Sequence, residues 1–457
     1  MKRILVLTTE PLPFKGMSTT GAGLRAWGMA KGLAHSGLDV TAAMPMDVLS
    51  GKTIIDETFS PERNIFHRSE LDVFVQKMKP DAIVFQHWGL MKELSGDYCP
   101  IALDLAGPHL LERYFWSGAD KNEITSWDQT REIHLVEKLT ALRRADFICC
   151  SGKYQRLYFL PFLSLAGFPM NNDSLPVIPF SVSPEIPDEK EMERDPERFV
   201  YGGLFLPWQN PQKPIQWLLE CFDEIGKGRL SFFGGMHPAL DVSRGRFDAL
   251  LRKLESHPRV SMKGILSFDE LVKEYRKASV ALDLLERNPE RELAFTTRTI
   301  VYLWCGLPVI YNNYSELSEY IDKSRAGWAL DPEDENAFKK IVKEILSNKT
   351  NIKQKSRSAL DLVRENFDWN QTIAPLAHFC LNPYIRKEKT GAILSFENRI
   401  RRMGELEEEL EKTRSELLTI KGKLWYRLYK RSNIFKILFS PILFLITLIL
   451  SLAFLLS

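Results

Sequence analysis

Short apolar runs alternate with amphipathic stretches along the first part of the chain. "RILVLT" is almost continuously apolar, as a strand buried on both faces must be. "GAGLRAWGMAKGLAHSG" repeats its apolar positions at helical spacing and closes on Gly37, a residue suited to end a helix. "DVTAAMP", "DAIVFQ", "IALDLA" and "ADFICCS" follow at intervals long enough for crossover connections. That pattern predicts a parallel sheet covered by helices. The alternation then stops in "VIPFSVSPEIPDEKEMERDPERF", which is rich in proline and charge and has neither period. A second series runs through "FVYGGLF", "RLSFFGG", "RVSMKGI", "SVALDLL" and "LPVIYN". The expected fold class is therefore α/β, with two Rossmann-like domains facing a cleft. The domains span 1–182 and 198–365, a linker spans 183–197, and a helix over 366–385 returns toward the first domain. Ligands of such sheets sit at the carboxyl ends of the strands.

Beyond residue 385 the pattern changes. Phe396, Met403, Leu406, Leu410, Leu417, Ile420 and Leu424 fall on a/d positions, with Thr413 as the one polar residue on the seam. The reading is a coiled coil or amphipathic stalk over 395–432, with a homodimer as one outcome. Ile437 to Leu456 carries no charge, and at 1.5 Å per residue it reaches about 30 Å, the thickness of a bilayer core. Lys421, Lys423, Arg427, Lys430, Arg431 and Lys436 precede it and nothing basic follows. Residues 435–457 are expected to span or anchor to a membrane, leaving the bulk of the chain on its cytoplasmic face.

Composition adds exclusions. A net charge of +2 over 457 residues offers no field to recruit nucleic acid. The six cysteines show no C-x-x-C or Cys/His metal spacing, which points to a reducing compartment. No D-x-D sequence occurs, so no metal and no cofactor is expected.

One stretch concentrates candidate chemistry. "TTRTIVYLWCGLPVIYNNYSELSEYI" reads as a helix capped by Thr296 and Thr297, ended by Gly306 and Pro308, then a strand, then a second helix. Asn313 and Glu316 have the form of a capping box. Free N–H groups at a helix start suit a phosphate, and Arg298 adds a planar donor.

"TRTIVYLWCGLPVI" resembles the donor-site segment of family 4 nucleotide-sugar glycosyltransferases, which have the two-domain GT-B fold. "GAGLRAWGMAKGLAHSGLDVTAAMP", "RADFICCSGKYQR", "VIPFSVSPE", "FVYGGLFLPWQNP", "FFGGMHP" and "RVSMKGILSFDEL" stand in the family's order, over about residues 1 to 385. The chain most resembles the subgroup active in cell-surface polysaccharide assembly. The resemblance implies that Gly203, Trp208, Asn210, His237, Gly264, Ile265, Glu290, Glu292, Arg298 and Thr299 line the donor site. Gly21, Gly23 and Arg25 would face the sugar or acceptor. His109, Asp104 and Glu112 follow a strand end facing the cleft and are the catalytic candidates, with His109 touching the transferred sugar.

Two departures stand out. The family's E-x7-E pair falls at Leu293 and Val301, and the usual basic residues of its first donor loop are missing from "GGLFLPWQNP". The expected activity is transfer of a sugar from a nucleotide diphosphate sugar to a lipid-linked or cell-surface glycan, with retention. The alternatives are a nucleotide-sugar epimerase on the same fold and a non-catalytic scaffold subunit that binds the sugar nucleotide.

Overall fold

The computed structural model describes residues 1–49, 54–116, 124–170, 174–187, 194–236, 245–348, 350–387, 406, 409–417 and 419. Two parallel six-stranded sheets carry the fold. The first consists of β1 (Arg3–Leu7), β2 (Asp39–Pro45), β3 (Ile65–Phe66), β4 (Ala82–Phe85), β5 (Ile101–Leu105) and β6 (Phe147–Cys150), in the order β3-β2-β1-β4-β5-β6. The second consists of β7 (Arg198–Leu204), β8 (Arg229–Gly235), β9 (Val260–Gly264), β10 (Val280–Asp283), β11 (Val309–Asn312) and β12 (Gly327–Leu330), in the order β12-β11-β10-β7-β8-β9. All ten strands read from the sequence are present. β3 and β12 were not foreseen: one is two residues long, and the other is a half-exposed edge strand of four residues. Strand order reverses between β1 and β4 and again between β7 and β10, and such switch points open the crevices where ligands bind.

Both sheets belong to one compact unit, Met1–Gly391. The helix Gly21–His35 packs on the short helix Trp369–Thr372, and two glycines make the approach possible. A Cβ on Gly32 would lie 2.6 Å from the Trp369 carbonyl oxygen, and one on Gly28 would lie 3.0 Å from that of Ser181. The chain crosses between the lobes twice, side by side: the Val182 N–H donates to the Phe367 carbonyl and the Trp369 N–H to the Val182 carbonyl. The helix Ala374–Leu381 then covers the first sheet, with Phe379 stacked on Phe147 at 5.2 Å.

In the second unit, Ala392–Ser457, residues 409–417 are helical. Leu406, Leu410 and Leu417 of the proposed seam are exposed, and the Thr413 hydroxyl donates to the Glu409 carbonyl within the helix. Phe396, Met403, Ile420, Leu424 and the apolar segment 435–457 lie outside the described residues. Among the described residues no helix is long and apolar enough to cross a membrane.

Candidate active site

The helix Thr297–Trp304 is built as its sequence predicts. Thr296 is the N-cap, and Gly306 ends it at φ +69°, with its N–H on the Leu303 carbonyl. No side chain caps the first turn, because the Thr296 hydroxyl pairs with the Tyr311 hydroxyl instead, at 2.5 Å. The amide groups of that turn keep their positive end of the helix dipole uncompensated. The turn faces the other lobe: a Cβ on Gly21, at the start of the Gly21–His35 helix, would lie 3.0 Å from the Thr297 hydroxyl. The two helix starts therefore meet across the cleft. They differ in one respect, since Thr20 does cap its helix by accepting from the Gly23 N–H.

Arg298 turns inward from that turn to the switch point of the second sheet. Its guanidinium donates to the Gly202 carbonyl at 2.8 Å and the Gln209 side chain at 2.9 Å, and lies 3.1 Å from the buried Asp283 carboxylate. It also sits over the Tyr201 ring. Burial works against its charge, but Asp283 and the surrounding tyrosines more than compensate and raise its pKa. This corrects the expectation that Arg298 and Thr299 hold the diphosphate directly. Arg298 braces the floor of the site, and the fully buried Thr299 hydroxyl is bonded to Asp283. The glycines of the β7 loop are reinterpreted as well. A Cβ on Gly203 would strike the Arg298 guanidinium at 2.0 Å, and one on Gly202 the Tyr275 hydroxyl at 1.9 Å. They make room for protein side chains.

Other donor-side candidates separate. Trp208 is buried, and its carbonyl accepts from the Asn288 amide. Asn210 starts a helix by accepting from the Gln212 N–H and holds Glu286 at 2.7 Å. Both serve the loop rather than the cleft. Glu292 pairs with exposed Arg287, while Glu290 is buried in a two-bond pairing with Arg291. Gly264, at φ +64°, ends β9, and exposed Ile265 follows it. The loop that follows touches the other lobe, where the Phe268 N–H donates to the Met17 carbonyl at 2.8 Å. His237 lies outside the described residues. Val301, standing where the family has a glutamate, is packed in the core between the sheet and its helices.

In the first lobe, Arg25 and Asp104 are not free for substrate. They form a buried ion pair at 2.5 and 2.7 Å, and Arg25 also donates to the Ile178 carbonyl. Gly23 is likewise structural, since a Cβ there would meet the Pro11 carbonyl oxygen at 2.1 Å. His109 and Glu112 remain half-buried at the cleft, with Nδ1 2.8 Å from the carboxylate. Burial opposes ionisation of Glu112, yet the His109 charge and hydrogen bond, with Arg291 and Arg113 beyond, hold its carboxyl below the usual range. An ionised Glu112 accepts a hydrogen bond from Nδ1–H and leaves Nε2 for another partner. The sequence reading missed His87, whose ring packs edge-on to His109 at 4.5 Å. Its Nδ1 accepts from the Gly89 N–H, while burial and the nearby charges of His109 and Arg113 push its pKa well down, so it stays neutral. Its signal was legible, because "FQHWG" places a histidine just past a strand end, as "AGPH" does. Asp283, at the end of the apolar run "SVALD", gave a similar signal.

Residues 197–348 match the family model described as "Glycosyl transferases group 1". The matched segment is the second lobe, from its first strand to just past the helix Glu335–Leu346. No curated protein matches the sequence. Among solved structures, the chain is similar to sucrose-phosphate synthase from Thermosynechococcus elongatus, at 16% identity and a TM-score of 0.59, covering 83% of this chain and 98% of that one. HepE from Anabaena, solved with UDP-glucose, gives 12% identity and a TM-score of 0.56, covering 83% of this chain and 100% of that one. The trehalose-6-phosphate synthase OtsA gives 12% identity and a TM-score of 0.57, covering 84% and 100%. At these identities the likeness establishes the shared two-lobed fold.

Proposed function

We propose that the chain transfers a sugar from a nucleoside diphosphate sugar to a lipid-linked or cell-surface glycan, with retention, at the cytoplasmic face of a membrane that its C-terminal segment enters. The observation that carries the reading is the uncapped start of the Thr297–Trp304 helix, turned toward Gly21 in the opposite lobe. A diphosphate in the cleft at the Thr297–Trp304 start would meet the uncapped backbone N–H donors of that turn. Those dipoles would stabilise the leaving group as its charge grows.

Arg298 contributes through position. Bonded to Gly202, Gln209 and Asp283, it fixes the β7 loop against the helix that carries the amides. His109, oriented by Glu112, presents Nε2 toward a sugar hydroxyl. The departing phosphate itself takes the acceptor proton, so transfer with retention needs no protein base. Electrostatic stabilisation of the diphosphate falls to the helix amides. The exposed a/d leucines of the stalk are consistent with a tether.

The deciding experiment measures nucleoside diphosphate release from UDP-, GDP- and ADP-sugars, with and without a membrane extract. Release that depends on the extract supports sugar transfer to a membrane-borne acceptor. Conversion of the nucleotide sugar without release would instead establish an epimerase, and binding without turnover a scaffold. His109→Ala is expected to lower kcat by about 10²-fold or more, in the range for loss of a positioned polar group at a reacting centre. Because Glu112 titrates below the usual carboxylate range, the orienting pair should survive mild acid and fail only as pH falls through that lowered value. A kcat–pH profile for Glu112→Gln should lack that acidic limb.

A further inference from the structure

The helix Lys153–Leu165 leaves the cleft with an unusual outer edge. Its start is tied to the other lobe, since the Tyr154 N–H donates to Glu316 and the Tyr154 hydroxyl to Glu319 at 2.8 Å. Its inner face packs Phe159 and Leu163. Its outer edge, one residue per turn, is Lys153, Leu157, Pro161 and Leu165, with Leu157 69% and Leu165 47% exposed. No charged residue occurs from Leu157 to Met170, which is itself 51% exposed. A solvated helix carries polar side chains on such an edge.

A second segment extends the same surface. Arg386 donates to the carbonyls of Gly167 and Arg143 and lies 3.8 Å from the Phe168 ring. This brings Ile385, 63% exposed, beside the end of the helix. The described chain of this lobe ends at Lys387, at the border of the patch, and the sequence beyond holds the basic cluster and the uncharged stretch 437–456.

We propose that the edge formed by Leu157, Pro161, Leu165, Met170 and Ile385 rests on a lipid bilayer. The occupant follows from the chemistry: the patch is apolar and uncharged, Lys153 stands at its head, and the sequence after Lys387 includes an uncharged segment of bilayer length. The cleft would then open at the membrane surface, where a lipid-linked acceptor presents its head group. The inference rests on the membrane reading above but requires more than an anchor, since a long tether alone would leave this face in water.

Photocrosslinking tests it on the full chain in phosphatidylethanolamine–phosphatidylglycerol vesicles. Benzoylphenylalanine replaces Leu157, Leu165 or Ile385, and exposed Val73 is the control position. Lipid adducts at the first three sites, absent at Val73, are expected. Adducts joining two copies of the chain, or no adducts at these sites, overturn the proposal. Vesicle pelleting reads the anchor separately, and Leu445→Lys with Leu448→Lys disables it. Pelleting without adducts therefore rejects the patch alone, and adducts that survive the disabled anchor support the patch on its own.

Discussion

Arg298 shows how one side chain changes meaning once its surroundings are known. Read from the sequence it is a cation at a helix start, and deleting it should cost donor binding alone. In the structure it neutralises Asp283, which is fully buried. Arg298→Ala is therefore expected to destabilise the fold by about 3–5 kcal/mol, the usual cost of stranding a buried charge. Pairing it with Asp283→Asn should restore much of that stability without restoring donor affinity. Chemical denaturation and nucleotide titration of the single and double variants separate the two effects. Lys138 makes a second case. Its ammonium is buried among the rings of Phe162, Phe159 and Tyr158, at 4.2, 4.7 and 5.3 Å, and burial pushes its pKa down to about 7. A lysine in the unfolded chain titrates near 10.4, so between these values unfolding takes up a proton and stability falls as pH falls. Lys138→Met should raise the melting temperature at pH 7, and the gain should shrink as pH approaches 10.

At the scale of elements, the contacts between lobes come from helix starts. Glu316 was expected to complete a capping box with Asn313. Its own helix begins after Ser315, which makes no side-chain cap, and the carboxylate reaches across to the backbone of Tyr154. Burial raises its pKa, against the hydrogen bonds from Tyr154 and Lys153. An acid raised above its unfolded value favours the native state while protonated and loses that advantage as pH rises through the folded pKa. Glu316→Gln should match the parent in acid and melt higher above neutrality, as a pH series of melting temperatures would show. The glycine helix behaves differently, because its partner is backbone. Gly32→Ala would press on the Trp369 carbonyl, and the strain should outweigh the helix-propensity gain by about 1–2 kcal/mol. Capping patterns in sequence locate helix ends well, but they do not say whose amides a given carboxylate will reach.

Across the whole molecule, the two sheets were legible because each rests on a local period. Apolar runs of strand length flanked by helical repeats admit few arrangements other than parallel sheets with crossovers. The same local logic placed the helix before Cys305 and its termination at Gly306. Which polar residues serve a ligand depended on relations that no period records. Arg25 and Asp104 are 79 positions apart and neutralise each other. Arg298 and Gly203 are distant in sequence yet share one space. His87 and His109 come together only because β4 and β5 are neighbours in the sheet. Hydrophobic periodicity by itself determined the layers and the cleft, since burial of apolar surface acts on every residue in turn. Tertiary structure alone decided which charges are paired inside the protein and which remain for a substrate, because a charge is satisfied by whatever folds next to it.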